Sequence, residues 1–176
     1  MSLKEKGCIQ VYTGNGKGKT TAALGMGLRA TGHGYRVLMI QFMKGWKTYG
    51  ELNAVKNLPG FEIIQAGLPN FVCKDGPKPE DKAQALIGLE KARQAIMQNQ
   101  YDLIILDEIN VALDYGLVPL DAVLELIQNK PEHMELVLTG RYAPPEIIAA
   151  ADLVTEMTLH KHPYYQGVPA REGIEY

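Results

Sequence analysis

The sequence predicts an α/β fold: a mostly parallel sheet with helices on both faces. Three observations carry that expectation. Short apolar runs rich in β-branched residues recur along the chain. Amphipathic stripes with helical spacing separate them. A glycine-rich turn ending in Lys-Thr-Thr joins the first apolar run to the first stripe.

The elements follow in order. Residues 8–13 (CIQVYT) read as a strand running into the glycines, and Lys19 to Ala30 as the helix after them. Residues 36–42 (RVLMIQF) form a continuous apolar run, the pattern of a strand buried on both faces. Residues 61–65, 103–106, 135–138 and 153–157 look similar but shorter. Ala85, Leu89, Ala92 and Ile96 fall on one helical face, and so do Leu120, Val123, Leu124 and Ile127. Pro119 suits the first turn of that second helix and Pro131 marks its stop. Residues 145–151 form a last short helix. Folds of this kind bind ligands at the carboxyl ends of their strands. Chemistry is therefore expected just after Thr13, Phe42, Gln65, Leu106 and Leu138. The stretch 67–79 (GLPNFVCKDGPKP) is long for a loop inside a compact domain, and such loops are often functional.

Composition narrows the function classes. The 176 residues suit one domain, spanning 1–176. Lys and Arg number 18 against 20 Asp and Glu, a net charge of −2, which argues against a nucleic-acid binder. No apolar run approaches the ~18 residues of a transmembrane helix, so no membrane partner is expected. Residues 1–6 (MSLKEK) lack the apolar core of a signal peptide, so the protein is expected to be cytoplasmic. Cys8 and Cys73 stand far apart, in no metal-ligand spacing, and read as ordinary thiols.

The most informative segment is Thr13-Gly-Asn-Gly-Lys-Gly-Lys-Thr-Thr21. Between a strand and a helix, it has the context of a phosphate-binding P-loop. The glycines let backbone N–H groups curl around an anion, and the helix presents its positive end to the same point. Gly14, Asn15, Gly16, Lys17, Gly18, Lys19, Thr20 and Thr21 are the expected ATP-binding residues. Lys19 supplies charge to the phosphates and Thr20 a hydroxyl for Mg²⁺ or Mn²⁺. The strict pattern places a glycine where Thr13 stands. A bare Gly-Lys-[Ser/Thr] arises by chance in about one chain in ten of this length; the further Gly14 and Gly16 and the strand–helix context make the signal strong.

A second element supports it. Tyr101-Asp-Leu-Ile-Ile-Leu-Asp-Glu108 is an apolar strand ending in two carboxylates, the Walker B arrangement that holds Mg²⁺. Asp107 and Glu108 are both candidate ligands. Arg141 ends another strand on the same side and is placed to neutralise phosphate. Gln41 ends the second strand, and Arg29 lies further along the P-loop helix.

These segments resemble the P-loop, RecA-like cob(I)alamin (corrinoid) adenosyltransferases. The likeness runs through Gly14-Asn-Gly-Lys-Gly-Lys-Thr-Thr-Ala-Ala23, Arg29-Ala30, Gly32-His-Gly34, Gln41-Phe-Met-Lys-Gly-Trp46 and Gly50-Glu51. It resumes at Leu106-Asp-Glu108, Thr139-Gly-Arg141, Lys161-His162 and the ending Gly173-Ile-Glu-Tyr176. The resemblance implies transfer of the 5′-deoxyadenosyl group of ATP to Co(I) of a reduced corrinoid, with triphosphate released. It implies Lys19 and Glu108 as catalytic residues, Thr20 and Glu108 at metal positions, and Arg29 and Gln41 near the nucleoside. The corrinoid substrate (cobalamin, cobinamide or a precursor), an electron donor for cobalt and a homodimer are expected on the same ground. Some members carry a Gly-Phe-x-Trp pair facing the corrinoid; here that stretch is Gly67-Leu-Pro-Asn-Phe71, so Phe71 or Trp46 is the candidate for that role. A nucleoside kinase, a small P-loop ATPase and a non-catalytic binding module are the competing readings of the P-loop alone.

Overall fold

The computed structural model describes residue 3 and residues 5–176. Much of the leader-free N-terminus expected from residues 1–6 lies outside the described residues.

Six strands form one sheet: β1 (Ile9–Thr13), β2 (Val37–Phe42), β3 (Phe61–Ala66), β4 (Leu103–Asp107), β5 (Glu135–Thr139) and β6 (Leu153–Glu156), in the order β3-β2-β4-β5-β1-β6. Every neighbouring pair is parallel. The sequence led to a mostly parallel sheet; the observed one is parallel throughout.

Burial explains the strand sequences. Every residue of β2, β4 and β5 is buried, so those strands need apolar side chains on both faces and carry continuous Val, Ile and Leu runs. Each large aliphatic side chain buried there contributes ~1.5–3 kcal/mol. The two edges differ from the expectation that β3 and β6 resemble β2. Only Phe61 and Ala66 of β3 are buried, and all four residues of β6 are exposed. An edge strand has a neighbour on one side only.

Helices fill both faces. On one, α3 (Pro79–Gln98), α5 (Leu120–Gln128) and α6 (Pro145–Ala150) pack their apolar stripes against Leu38, Ile40, Ile104, Leu106, Leu136 and Leu138. On the other, α1 (Lys19–Gly32) sets Ala23 against Val37, Met39, Ile105 and Val137. The helix α3 begins earlier than its stripe suggests, because Pro79 sits in its first turn and the Asp81 carboxylate accepts the Lys78 backbone N–H at 3.0 Å. Two short helices escape the sequence pattern: α2 (Gly50–Ala54) and α4 (Ile109–Asp114). At five and six residues they are too short to show a period.

This topology sets β5 between β1 and β4. The P-loop follows β1, the Asp107–Glu108 pair ends β4, and Thr139, the last residue of β5, lies between them.

Candidate nucleotide and corrinoid site

The loop after β1 takes its shape from two left-handed glycines, Gly14 at φ 90° and Gly18 at φ 111°. Non-glycine residues rarely adopt such angles. This also explains why Thr13 replaces the glycine of the strict pattern. Thr13 is still the last residue of β1, paired in register with Glu156, and the left-handed turn begins one residue later. The loop is braced on the far strand: the Gly16 N–H donates to the Met157 carbonyl at 2.6 Å. No side chain caps the start of α1, so its free N–H groups face the same point as the loop.

Lys19 is buried and its ammonium donates to the Gly14 and Gly16 carbonyls at 2.9 and 2.6 Å. Burial lowers its pKa, and Glu108 and Asp107 work against that while Arg141 adds to it. Thr20, one residue on, reaches across β5. Its hydroxyl donates to Asp107 Oδ1 at 2.8 Å, and the Thr139 hydroxyl donates to the same oxygen at 2.7 Å. The other oxygen, Oδ2, accepts the Lys44 ammonium at 2.7 Å, and that ammonium also donates to Thr20 Oγ1 at 3.2 Å. Asp107 is fully buried yet well satisfied.

Glu108 has a different setting. Its backbone is left-handed at φ 61° and its N–H donates to Thr139 Oγ1 at 3.0 Å. The strain turns its carboxylate into the cavity. Burial raises its pKa first, Asp107 adds to the rise, and Lys44, Lys19 and Arg141 oppose it.

The cavity measures about 580 Å³. Loop residues 15–21 form one wall, Lys44, Tyr49 and Glu51 a second, Glu108 and Arg141 a third. The fourth wall was not foreseen: it is the C-terminal segment 173–176. Lys17 fastens that segment, its ammonium donating to the Ile174 carbonyl at 3.1 Å and pairing with Glu175 at 3.0 Å.

Two expected residues stand back from this cavity. Gln41 is fully buried in β2 and meets the wall only through Glu51, to which its Nε2 donates at 2.8 Å. Arg29 is exposed in the last turn of α1, about 15 Å along the helix from Lys19 at 1.5 Å per residue. Trp46 and Phe71 come together from two separate loops, their ring centroids 6.3 Å apart, with Phe71 96 % exposed. The loops touch through glycines: a Cβ on Gly45 would lie 2.4 Å from the Leu68 carbonyl carbon, and one on Gly67 2.5 Å from the Lys44 nitrogen.

Lys44 lines the cavity and was not among the site residues expected from the sequence. Its signal was its place inside the Gln41–Trp46 motif, which gave it no role of its own. What distinguishes it is the strand's position beside β4, which sequence order does not reveal.

Comparison with known proteins decides what this nucleotide fold does. Residues 5–176 match the family described as ATP:corrinoid adenosyltransferase BtuR/CobO/CobP. The chain belongs to this family. It is 39% identical over 175 residues to a corrinoid adenosyltransferase of Pseudomonas aeruginosa, covering 98% of this chain and 85% of that one. It is 34% identical to the corrinoid adenosyltransferase CobA of Salmonella typhimurium, covering 98% and 87%. In fold it is similar to a KaiC-like protein of Pyrococcus horikoshii, with TM-score 0.55, 13% identity and coverage of 86% and 72%. The expected activity therefore stands: the chain is a corrinoid adenosyltransferase that uses ATP in cobalamin biosynthesis. Among the described residues, no helix is long and apolar enough to cross a membrane.

Proposed function

We propose that the triphosphate of ATP lies in the cradle of residues 14–21, with the ribose C5′ turned outward to a corrinoid stacked beside Trp46 and Phe71. The observation that carries this reading is the cavity itself, which joins the P-loop wall to the Lys44–Tyr49 wall without a barrier. Trp46 follows the lining residue Lys44 by two residues, and on this reading the aromatic pair continues that wall toward the corrinoid.

Co(I) is already a strong nucleophile. It attacks C5′; the cobalt–carbon bond forms as the C5′–O bond breaks, and the triphosphate leaves with that bond's electron pair. No proton has to be removed from the nucleophile. The protein's work is alignment and neutralisation of a polyanionic leaving group. Lys19, the loop N–H groups and the start of α1 meet the phosphates from below, and Arg141 and Lys17 from the sides.

The donors present fit a divalent cation. The Thr20 hydroxyl and the Asp107 and Glu108 carboxylates are hard oxygen ligands, few in number, as suits Mg²⁺ that takes its remaining ligands from phosphates and water. Thr20 and Asp107 already hold a cation between them, the Lys44 ammonium. Bound there, Mg²⁺ or Mn²⁺ supplies further charge neutralisation to the triphosphate.

The reading assigns cobalt reduction to an outside electron donor and adds a homodimer. Exposed Leu153 and Val154 on β6, with Tyr164 and Tyr165 after it and Ile174 in the C-terminal segment, are apolar surface for a second copy to cover. Sedimentation equilibrium checks the mass.

The deciding experiment supplies ATP, Mg²⁺ and chemically reduced Co(I) corrinoids, and measures triphosphate and a photolabile cobalt–carbon product. Release of ADP and phosphate alone sinks the proposed geometry and returns a kinase or ATPase.

A further inference from the structure

We propose that the Lys44 ammonium is a built-in stand-in for the divalent cation: it holds Thr20 and Asp107 in the free protein and passes to the triphosphate when the cation arrives. The inference rests on the metal reading of Thr20 and Asp107 given above.

The geometry carries it. Lys44 Nζ lies 2.7 Å from Asp107 Oδ2 and 3.2 Å from Thr20 Oγ1. A cation bound by both of those residues has to stand between them, where the ammonium now is. Two cations do not share that space, so one displaces the other.

Chemistry then limits where Lys44 goes. Its side chain is 15% exposed, and a largely buried ammonium that loses its carboxylate needs another anion. Lys44 lines the same cavity as Lys17, Lys19 and the open start of α1. The Tyr49 ring, 5.5 Å from the ammonium, offers it a second polar surface toward the cavity. Phosphate oxygens entering with the metal supply the missing anion.

Charge gives the exchange its order. Asp107 ends β4 and Glu108 follows it, so two carboxylates come from consecutive residues. Lys44 offsets one of them until nucleotide comes. The exchange then makes divalent binding depend on the triphosphate, because only with it does the displaced ammonium find a partner.

The test uses Mn²⁺ alone, counted by electron paramagnetic resonance on protein without nucleotide. Lys44→Met should bind Mn²⁺ at least about tenfold more tightly than the wild type, with Lys44→Arg resembling the wild type. Inorganic tripolyphosphate with Mg²⁺ should bind Lys44→Met about tenfold more weakly by calorimetry. Equal Mn²⁺ affinity in Lys44→Met and wild type overturns the inference. If Lys44→Met does not fold, the wild type serves: the ¹⁵N resonance of the Lys44 ammonium should shift when Mg²⁺ and tripolyphosphate are added together. A resonance that stays in place overturns the inference as well. Thr20→Val in the Lys44→Met background separates the two readings. Mn²⁺ binding that survives it refutes the metal assignment itself, and this inference with it; Mn²⁺ binding lost there, but equal in Lys44→Met and wild type, refutes the inference alone.

Discussion

The Lys44 ammonium donates at 2.7 Å to Asp107, a carboxylate with no exposed surface. Burial lowers the Lys44 pKa, but the charge of Asp107 and its hydrogen bond, helped by Glu108 and Glu51, outweigh burial and raise it. The pair ties the loop after β2 to the end of β4.

Breaking that pair from the carboxylate side should be costly. Asp107→Asn leaves the Lys44 ammonium without its counter-charge, and the expected loss is about 3 kcal/mol. The urea midpoint measures it. Adding Lys44→Met to Asp107→Asn should recover at least about 1 kcal/mol, since the two residues are directly coupled.

Glu108→Gln should move in the opposite direction. The folded pKa of Glu108 is raised, so its contribution to stability is full below the ordinary value of 4.5 and is lost as pH rises through the folded value. At pH 7 the carboxylate ionises freely in the unfolded chain, while burial and Asp107 oppose its ionisation in the folded one, so the residue costs the free protein stability. Glutamine removes that cost, and the melting temperature should rise by about 2–4 °C for each kcal/mol gained. The gain should be present at pH 7 and absent at pH 4 by calorimetry, while adenosyl transfer falls at least about tenfold. Unchanged stability at pH 7 contradicts the argument.

The C-terminal wall should respond to acid late. The side-chain hydrogen bond from Arg171 is the largest influence on Glu175; with the Arg171 backbone N–H and Lys17 it lowers the pKa to about 2. A depressed carboxylate holds its contacts fully above its ordinary value and loses them as pH falls through the folded one. The amide resonances of Ile174 and Tyr176 should therefore stay in place at pH 4 and move near pH 2. In Glu175→Ala they should already be displaced at pH 7.

The corrinoid side should be separable from the ATP side. Gly45→Ala places a methyl against the backbone of Leu68, pushing the Trp46 and Phe71 loops apart. The expected result is about a tenfold rise in corrinoid KM, with ATP binding by calorimetry unchanged. Equal effects on both substrates count against a corrinoid beside this aromatic pair.

What could be read beforehand was local. Residues 36–42, buried on both faces, announced a strand by their unbroken apolar run, and residues 13–21 announced the loop by glycine spacing. Those signals lie within a few consecutive residues. The role of Lys44 depends on Asp107, 63 residues away, and the tail wall depends on Lys17 meeting Glu175 across 158. No local pattern encodes such pairings. The different surroundings of Asp107 and Glu108 were equally hidden. They follow from the left-handed backbone at Glu108: Asp107 meets Thr20 and Thr139, and Glu108 lines the cavity.

The place of β1 in the sheet has a consequence for how the molecule is made. This strand comes first in the chain, yet its two neighbours are β5 and β6, with Gln10 paired to Val137 and Leu153. Contacts so distant in sequence close slowly, because a long loop must be ordered before they form. As the polypeptide leaves the ribosome, β2, β3 and β4 can assemble while β1 waits. The P-loop gains its brace only after Met157 has emerged to receive the Gly16 N–H. A nascent chain halted before that residue should therefore not grip nucleotide, and binding should switch on once Met157 is in place.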